Sequence, residues 1–298
     1  MKLIKRTEIE KPEVVYNLEV KKNHNYVANG VVISNCHDSK SSILNSLRMN
    51  HGNNIANFYG ITGTLPKDPC DLMMVHTALG NIVYECHAKD LIENDYLSKP
   101  DITIIQLDDV KYLKENGVLG AENLMNEEEE YFIKNNKSRM THIANLIIEN
   151  SKNNEKGNTL VLINNVKYGQ ELSKMIPDSF CLSGKDKVDV RKEVYDKFEN
   201  NNNIIAVCTR AIASVGLSID RIHHLVFLDY NKSFISTIQT IGRGLRKSHD
   251  KDTVNILDIC SNLPSSKKRM SARIKHYNEA EYPNRKTKMT YEKVEDYD

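Results

Sequence analysis

Residues 238–248 read IQTIGRGLRKS, and the rest of the chain is organised around them. Ile238, Ile241 and Leu245 recur at intervals of three and four, which predicts a helix with one apolar face. Gln239, Gly242, Arg243 and Arg246 also fall three or four apart, so both guanidinium groups project from nearly one side. Paired planar cations on a rigid element are what a developing phosphoryl charge requires. A plain helix with surface arginines has the same pattern, so the neighbouring segments have to decide.

Upstream and downstream lie short apolar runs of buried-strand type: TLVLI (159–163), SFCLS (179–183), NIIAVCT (203–209), HHLVFLD (223–229) and NILDI (255–259). Helical stretches such as VDVRKEVYDKFE (188–199) and the opening helix separate them. Strict alternation of strand and helix predicts an α/β fold, a parallel sheet with helices on both faces. A long helix is expected before the first of these strands, with Met140, Ile143, Leu146 and Ile147 on one face. The EEEE run (127–130) reads as a solvated face near a helix start, where acid suits the dipole.

The totals set bounds. The chain has 298 residues, room for two or three domains, and 41 basic residues against 40 acidic ones, so net charge names no partner. No run of 18 apolar residues occurs and MKLIKRTEIEK is too polar for a leader, which predicts a soluble, cytoplasmic protein with no membrane partner. Cys36, Cys70, Cys86, Cys181, Cys208 and Cys260 form no CxxC pair. Reduced thiols and no metal site are expected. Cys86-His87 reads as a structural pair in an apolar strand. Residues 264–289 carry eight Lys/Arg against two Glu, a basic tail that either touches phosphates or is simply solvated.

The QxxGRxxR pattern resembles motif VI of superfamily 2 helicases, and further segments resemble other motifs of that superfamily in order. GITGT (60–64), with Thr62 and Thr64, is similar to motif III, which couples the two ATPase lobes. TLVLINN (159–165) is similar to motif IV. CLSGKDKVDVR (181–191), with Ser183 and Arg191, resembles the loop and helix that lie near the nucleic-acid backbone. VCTRAIASVGLSI (207–219) is similar to motif V, with Thr209 in the phosphate-contacting place and Gly216 beside the nucleotide; Ser218 stands where Asp is common. The likeness covers about 36–290 and is closest to UvsW-like phage recombination helicases. It implies a RecA-like second lobe, ATP and Mg2+ as cofactors, and DNA as partner. Gln239, Arg243 and Arg246 would then serve as both nucleotide-binding and catalytic groups.

The first half of such a motor is missing from these residues. No GxxxxGK[ST] string occurs, although its amides and lysine hold the phosphates. Motif II normally reads DECH, whose acids hold magnesium; here only Cys36-His37 remains, preceded by Ile33, Ser34 and Asn35. The residues before that break have their own pattern. VYNLEV (15–20) alternates Tyr16, Leu18 and Val20 with polar residues, KKNHN (21–25) reads as a turn, and Asn29-Gly30 between apolar runs signals a hairpin.

VVYNLEVKKNHNYVANG (14–30) resembles block F of inteins and VVISNC (31–36) resembles block G, ending in Asn before a nucleophilic Cys. Asn17 replaces a common Asp and Ser34 a common His. The resemblance implies a split-intein C-terminal fragment whose junction divides motif II between Glu and Cys. His24 would assist cyclisation of Asn35, and Cys36 would accept the acyl chain.

Four regions are therefore expected: an all-β intein fragment (1–35), an incomplete first RecA-like lobe (36–100) closing near Lys99-Pro100, the second lobe (101–263) and the basic tail (264–298). The expected partner is a separate chain carrying the helicase N-terminal half and the intein N-terminal fragment. Three alternatives remain: a motorless nucleic-acid-binding lobe, a different superfamily 2 translocase subunit, and a truncated contiguous intein.

Overall fold

The computed structural model describes residues 25–28, 31–35, 57–61, 65, 68–152, 157–184, 186, 188–209, 221–228, 241–242, 245 and 251–294. The chain forms two compact units, residues 1–85 and residues 86–298.

In the first unit, β1 (Asn25–Ala28) and β2 (Val31–Asn35) pair antiparallel, with Ala28 opposite Val31. The two strands of the expected hairpin pair, while Asn29 and Gly30 themselves lie outside the described residues. The VYNLEV and KKNH segments lie outside the described residues. The sheet does not stop at the expected boundary of an all-β fragment. β3 (Asn57–Ile61) adds to β2 in parallel, running from Val31↔Asn57 to Asn35↔Ile61. Helix α1 (Pro69–Leu79) follows, and Asp68 caps it by accepting from the Cys70 and Asp71 amides, both at 3.0 Å.

The second unit opens with a short helix, α2 (Ala88–Glu93). Its N-cap is His87, and Cys86 is exposed in a segment without regular structure, so the expected apolar strand is absent there. Then come β4 (Lys99–Leu107), α3 (Asp109–Glu115), α4 (Asn126–Asn135), α5 (Lys137–Lys152), β5 (Asn158–Ile163), α6 (Val166–Met175), β6 (Ser179–Leu182), α7 (Val188–Asn200), β7 (Ile205–Thr209), β8 (Ile222–Leu228), β9 (Thr253–Ser261), α8 (Pro264–Glu279) and β10 (Asn284–Met289). Seven strands form one sheet in the order β10-β4-β9-β8-β5-β7-β6, and every pairing is parallel. All the C-terminal strand ends therefore share one edge.

Period-two alternation splits the sheet residues between two cores. Ile102, Ile104, Leu160, Leu162, Leu225, Phe227 and Ile256 face α7 and α8 through Phe198, Met270 and Tyr277. Ile105, Leu107, Val161, Ile163, Val226 and Ile259 face α5 and α6 through Ile143, Ile147 and Leu172. The expected helix face of Met140, Ile143 and Ile147 is buried, with Leu146 at its margin. At the start of β5, Gly157 has φ +96°, and a Cβ there would meet His223 Nδ1 at 1.9 Å, so glycine is required on both counts.

Three expectations change. Lys99-Pro100 opens strand β4 instead of closing the preceding region; Pro100 is tolerated because the β10 ladder begins only at Ile102. The region after Pro264, expected as a tail, contributes helix α8 and strand β10. Glu129 within the acidic run is fully buried, not solvated.

Buried carboxylates on α3 and α4 fix the C-terminal elements to the preceding helices. Glu129 accepts from the Ser265 and Ser266 amides at 2.7 and 2.6 Å and from Arg269 at 3.3 Å, which caps α8 from outside its own sequence. Asp109 receives Arg139 Nε at 3.1 Å and the Tyr291 hydroxyl. Burial raises the Tyr291 hydroxyl well above the phenol range, and the Asp109 carboxylate adds to this.

Candidate functional site

The edge formed by the C-terminal ends of parallel strands is where open α/β sheets place their ligands. Thr209 ends β7 and pairs with Ile163, the last residue of β5. Leu182, the last residue of β6, pairs with Cys208, so Ser183 follows beside Thr209. The sheet thus gathers Ser183, Thr209 and Asn164 onto one edge.

Their local chemistry differs. Ser183 is buried and engaged: its amide and hydroxyl both donate to Asp186 Oδ2, at 2.5 and 3.0 Å. The hydroxyl therefore shapes the SGKD loop. Thr209 is half-buried at the strand end. Arg191 lies in the first turns of α7, half-buried, and its Nε is buried with no acceptor among the described residues. Four residues on lies Tyr195, whose hydroxyl is raised by burial and drawn back slightly by the Arg191 charge. A guanidinium on a helix beside the strand ends can bridge to a phosphate oxygen.

A cavity of about 330 Å³ opens at the ends of β5 and β8, lined by Ile163, Asn164, Asn165, Tyr168 and Leu228 from the sheet side. Lys134 of α4 and Arg269 of α8 close it. Asn165 Oδ1 accepts from the Tyr168 amide at 3.1 Å and caps α6, which holds this rim in place. Sequence reasoning missed Lys134 and Arg269. Both sit in helices that carry no motif, and Arg269 was grouped with the basic tail.

Of IQTIGRGLRKS only Ile241, Gly242 and Leu245 are described. Ile241 and Leu245 are fully buried in the core, Leu245 N bonds Ile241 O at 2.9 Å, and the Leu245 carbonyl accepts from the Ser98 amide at 2.8 Å. Two members of the expected apolar face are buried, with Ile238 outside the described residues, and Leu245 ties this segment to the start of β4. Gln239, Arg243, Arg246, Gly216, Thr62, Thr64, His24, Cys36 and His37 lie outside the described residues. Asn35 ends β2 opposite Ile61, the residue that precedes Thr62.

Among the described residues no group of three or more His, Cys, Asp or Glu could hold a metal ion, and the five described cysteines are free. No described helix is long and apolar enough to cross a membrane. Cys208 is pushed up to about 12 by burial and the neighbouring Cys181, so it is a core thiol and not a nucleophile.

Residues 138–248 match the helicase conserved C-terminal domain. The chain is 27% identical over 225 residues to the ATP-dependent DNA helicase uvsW of Enterobacteria phage T4, covering 74% of this chain and 43% of that protein. It is 26% identical over 293 residues to putative helicase 22 of a Sulfolobus islandicus filamentous virus, covering 92% of this chain and 49% of the relative. It therefore spans less than half the length of either curated relative. The crystal structure of T4 UvsW superposes with TM-score 0.53 at 20% identity, over 87% of this chain and 53% of that one. A fragment of a putative HsdR subunit of a type I restriction enzyme from Vibrio vulnificus YJ016 gives 0.65 at 15% identity, over 88% and 48%. The sheet is thus the RecA-like fold of a helicase C-terminal lobe, and the sequence is homologous to UvsW-like phage helicases.

Proposed function

We propose that this chain supplies the C-terminal half of a UvsW-like, ATP-dependent DNA helicase and that residues 1–35 are an intein segment through which protein trans-splicing completes the enzyme. The observation that supports the helicase part of this reading most is the pairing of β2 with β3, while the splicing part rests on the block F and block G resemblance of residues 14–36. The strand that leads into Cys36 lies parallel beside the strand that leads into the GITGT segment. ISN-Cys36-His37 thus continues from a strand neighbouring motif III, where a helicase would carry DECH. A second support is apolar exposure between residues 73 and 84: Met73 is 70% exposed, Val83 74% and Tyr84 81%. That surface suits a first lobe whose remaining strands come from elsewhere.

The splicing steps follow from the residue types. The Cys36 thiolate attacks the thioester that ends the partner's extein, expelling the partner's intein thiol and forming a branched thioester. The Asn35 side-chain nitrogen then attacks its own backbone carbonyl carbon, closing a succinimide and releasing the Cys36 amine, which takes up a proton. His24 supplies that proton. The freed amine displaces the thioester sulfur, leaving a peptide bond and a restored Cys36 thiol that becomes the third letter of motif II.

In the assembled enzyme Arg243 and Arg246 stabilise charge on the transferring phosphoryl group, and Gln239 orients the nucleotide. These 298 residues contain neither a phosphate loop nor the paired motif II acids. Mg2+ and ATP are therefore held jointly with the N-terminal half. Thr209, Ser183 and Arg191 form the DNA edge, with Ser183 acting by shaping its loop.

A motorless nucleic-acid-binding lobe is the second reading, favoured by the seven-stranded sheet and its two cores within residues 86–298. Splicing intermediates distinguish the two. With a partner present, Asn35→Ala accumulates a branched thioester that added thiol cleaves, and His24→Ala slows release of residues 1–35 more than acyl transfer. If neither variant forms a branched species while wild-type complex forms, the motorless reading stands.

A further inference from the structure

Along the same C-terminal edge, towards the opposite end of the strand order from β6 and β7, the ends of β10, β4 and β9 border an open-sided basin of about 760 Å³. Lys288 and Gln106 are register partners on β10 and β4, so their side chains share one sheet face. Lys267, Lys268 and Ser271, in the first half of α8, stand along another wall. Gln106 is 3% exposed, and its Nε2 meets no acceptor among the described residues although it lines the basin. A buried amide donor left without an acceptor costs about 1–3 kcal/mol.

The charge around that donor is positive. No ion pair among the described residues takes up Lys267, Lys268 or Lys288. The lone acid in the wall, Glu122, is occupied by Lys114 at 3.1 Å. Asn262, the other amide in the wall, is turned to its own neighbours: its Nδ2 donates to Asp108 at 2.6 Å and its Oδ1 accepts from the Val110 amide at 3.0 Å, and Gln106 Nε2 makes no bond to it. Three ammonium groups and a buried amide, with the only acid neutralised, form a receptor for an oxyanion. The basin also continues along the sheet edge: Lys286, exposed, lies two residues before Lys288 on the same face of β10. Their spacing, roughly 6.7 Å along a strand, suits successive phosphates of an extended chain better than one small anion.

We infer that this basin holds phosphate groups of a nucleic-acid strand, with Gln106 Nε2 donating to a phosphate oxygen and Lys267, Lys268 and Lys288 neutralising it. It is a second contact site, built on different elements from Ser183, Thr209 and Arg191, and its assignment to a nucleic-acid strand rests on the nucleic-acid reading given above. It gives the basic α8–β10 region, which carries no helicase motif, a role in gripping DNA.

The test uses the full chain. Inorganic phosphate titrated into isotope-labelled protein is expected to shift the Gln106 side-chain amide and the Lys267 and Lys288 backbone amides in NMR spectra. Those shifts are expected to vanish in K267A/K288A with the fold intact by circular dichroism. Separately, a labelled single-stranded oligonucleotide is titrated at several salt concentrations. K267A/K288A is expected to weaken binding for all sequences and to reduce the salt slope by about 1 for each phosphate that is no longer neutralised. Unmoved Gln106 resonances overturn the site, whatever the oligonucleotide does. Phosphate-dependent shifts with an unchanged salt slope overturn the strand assignment and leave a free-phosphate site. If wild type binds no oligonucleotide while phosphate still shifts Gln106, the nucleic-acid reading of the lobe fails and the strand assignment fails with it. The free-phosphate site survives that outcome.

Discussion

Arg273 and Asp258 form a fully buried two-point ion pair: Nε to Oδ2 and Nη2 to Oδ1, both at 2.7 Å. The Tyr277 hydroxyl donates to the same Oδ2 at 2.8 Å. Burial opposes the Arg273 charge, and the Asp258 carboxylate more than offsets it, so the guanidinium stays protonated at any working pH. Burial and then the same carboxylate raise the Tyr277 hydroxyl. The pair joins α8 to the middle of β9, and through it the basic helix is held on the sheet.

Arg273→Ala leaves Asp258 buried without its cation. A loss of about 3–5 kcal/mol is expected, read as a fall in the midpoint of chemical denaturation. Asp258→Asn paired with Arg273→Met is expected to recover part of it, because no buried charge then remains. A loss under about 1 kcal/mol in Arg273→Ala, the scale of a surface pair, would mean that α8 is held mainly by its apolar face.

His224 gives the pH dependence. It is 1% exposed on β8 and its Nε2 has no partner among the described residues. Burial first, and His223 second, lower its pKa to about 4. The unfolded chain takes up a proton near about 6.5, while the folded chain resists until about 4. Stability is therefore fully present above about 6.5 and is lost as pH falls towards about 4, by roughly 3 kcal/mol for this group. His224→Gln is expected to flatten the stability profile across that window. An unchanged slope would assign the acid loss to other groups.

Of the five apolar strands, β5, β7, β8 and β9 were legible because they are covered on both faces and written mostly in Val, Ile, Leu and Phe; β6 is a half-buried edge strand marked by Phe180 and Leu182. β10 was not legible: NRKTKM occupies a sheet edge, where charge is favoured because it blocks further pairing. β4 was obscured by Pro100, which reads as a break unless the ladder offset is known. Glu129 could not be singled out from its three acidic neighbours, since only the folded chain brings the α8 amides to it. Motif order singled out Thr209 and Ser183, which lie at neighbouring strand ends. Gln106 was not singled out, because an amide in an apolar strand gives no sign in sequence that its donor lacks an acceptor.

For the motor, the isolated chain is expected to show no DNA-stimulated ATP hydrolysis. After joining to its N-terminal half it is expected to hydrolyse ATP, and Arg246→Ala is expected to lower turnover by about 10³-fold or more with oligonucleotide affinity little changed. Near-normal turnover in that variant would make the arginines of IQTIGRGLRKS ordinary surface residues.

Intact-mass spectrometry decides whether Cys36 is joined to another chain while residues 1–35 are discarded. The wild-type chain is mixed under reducing conditions with a chain carrying a helicase N-terminal half and an intein N-terminal fragment, and masses are followed over time. The expected product is residues 36–298 extended by the partner's extein through a peptide bond at Cys36, with residues 1–35 released as a peptide ending in a succinimide. If the two chains form a complex and the mass of the 298-residue chain stays unchanged, trans-splicing is contradicted.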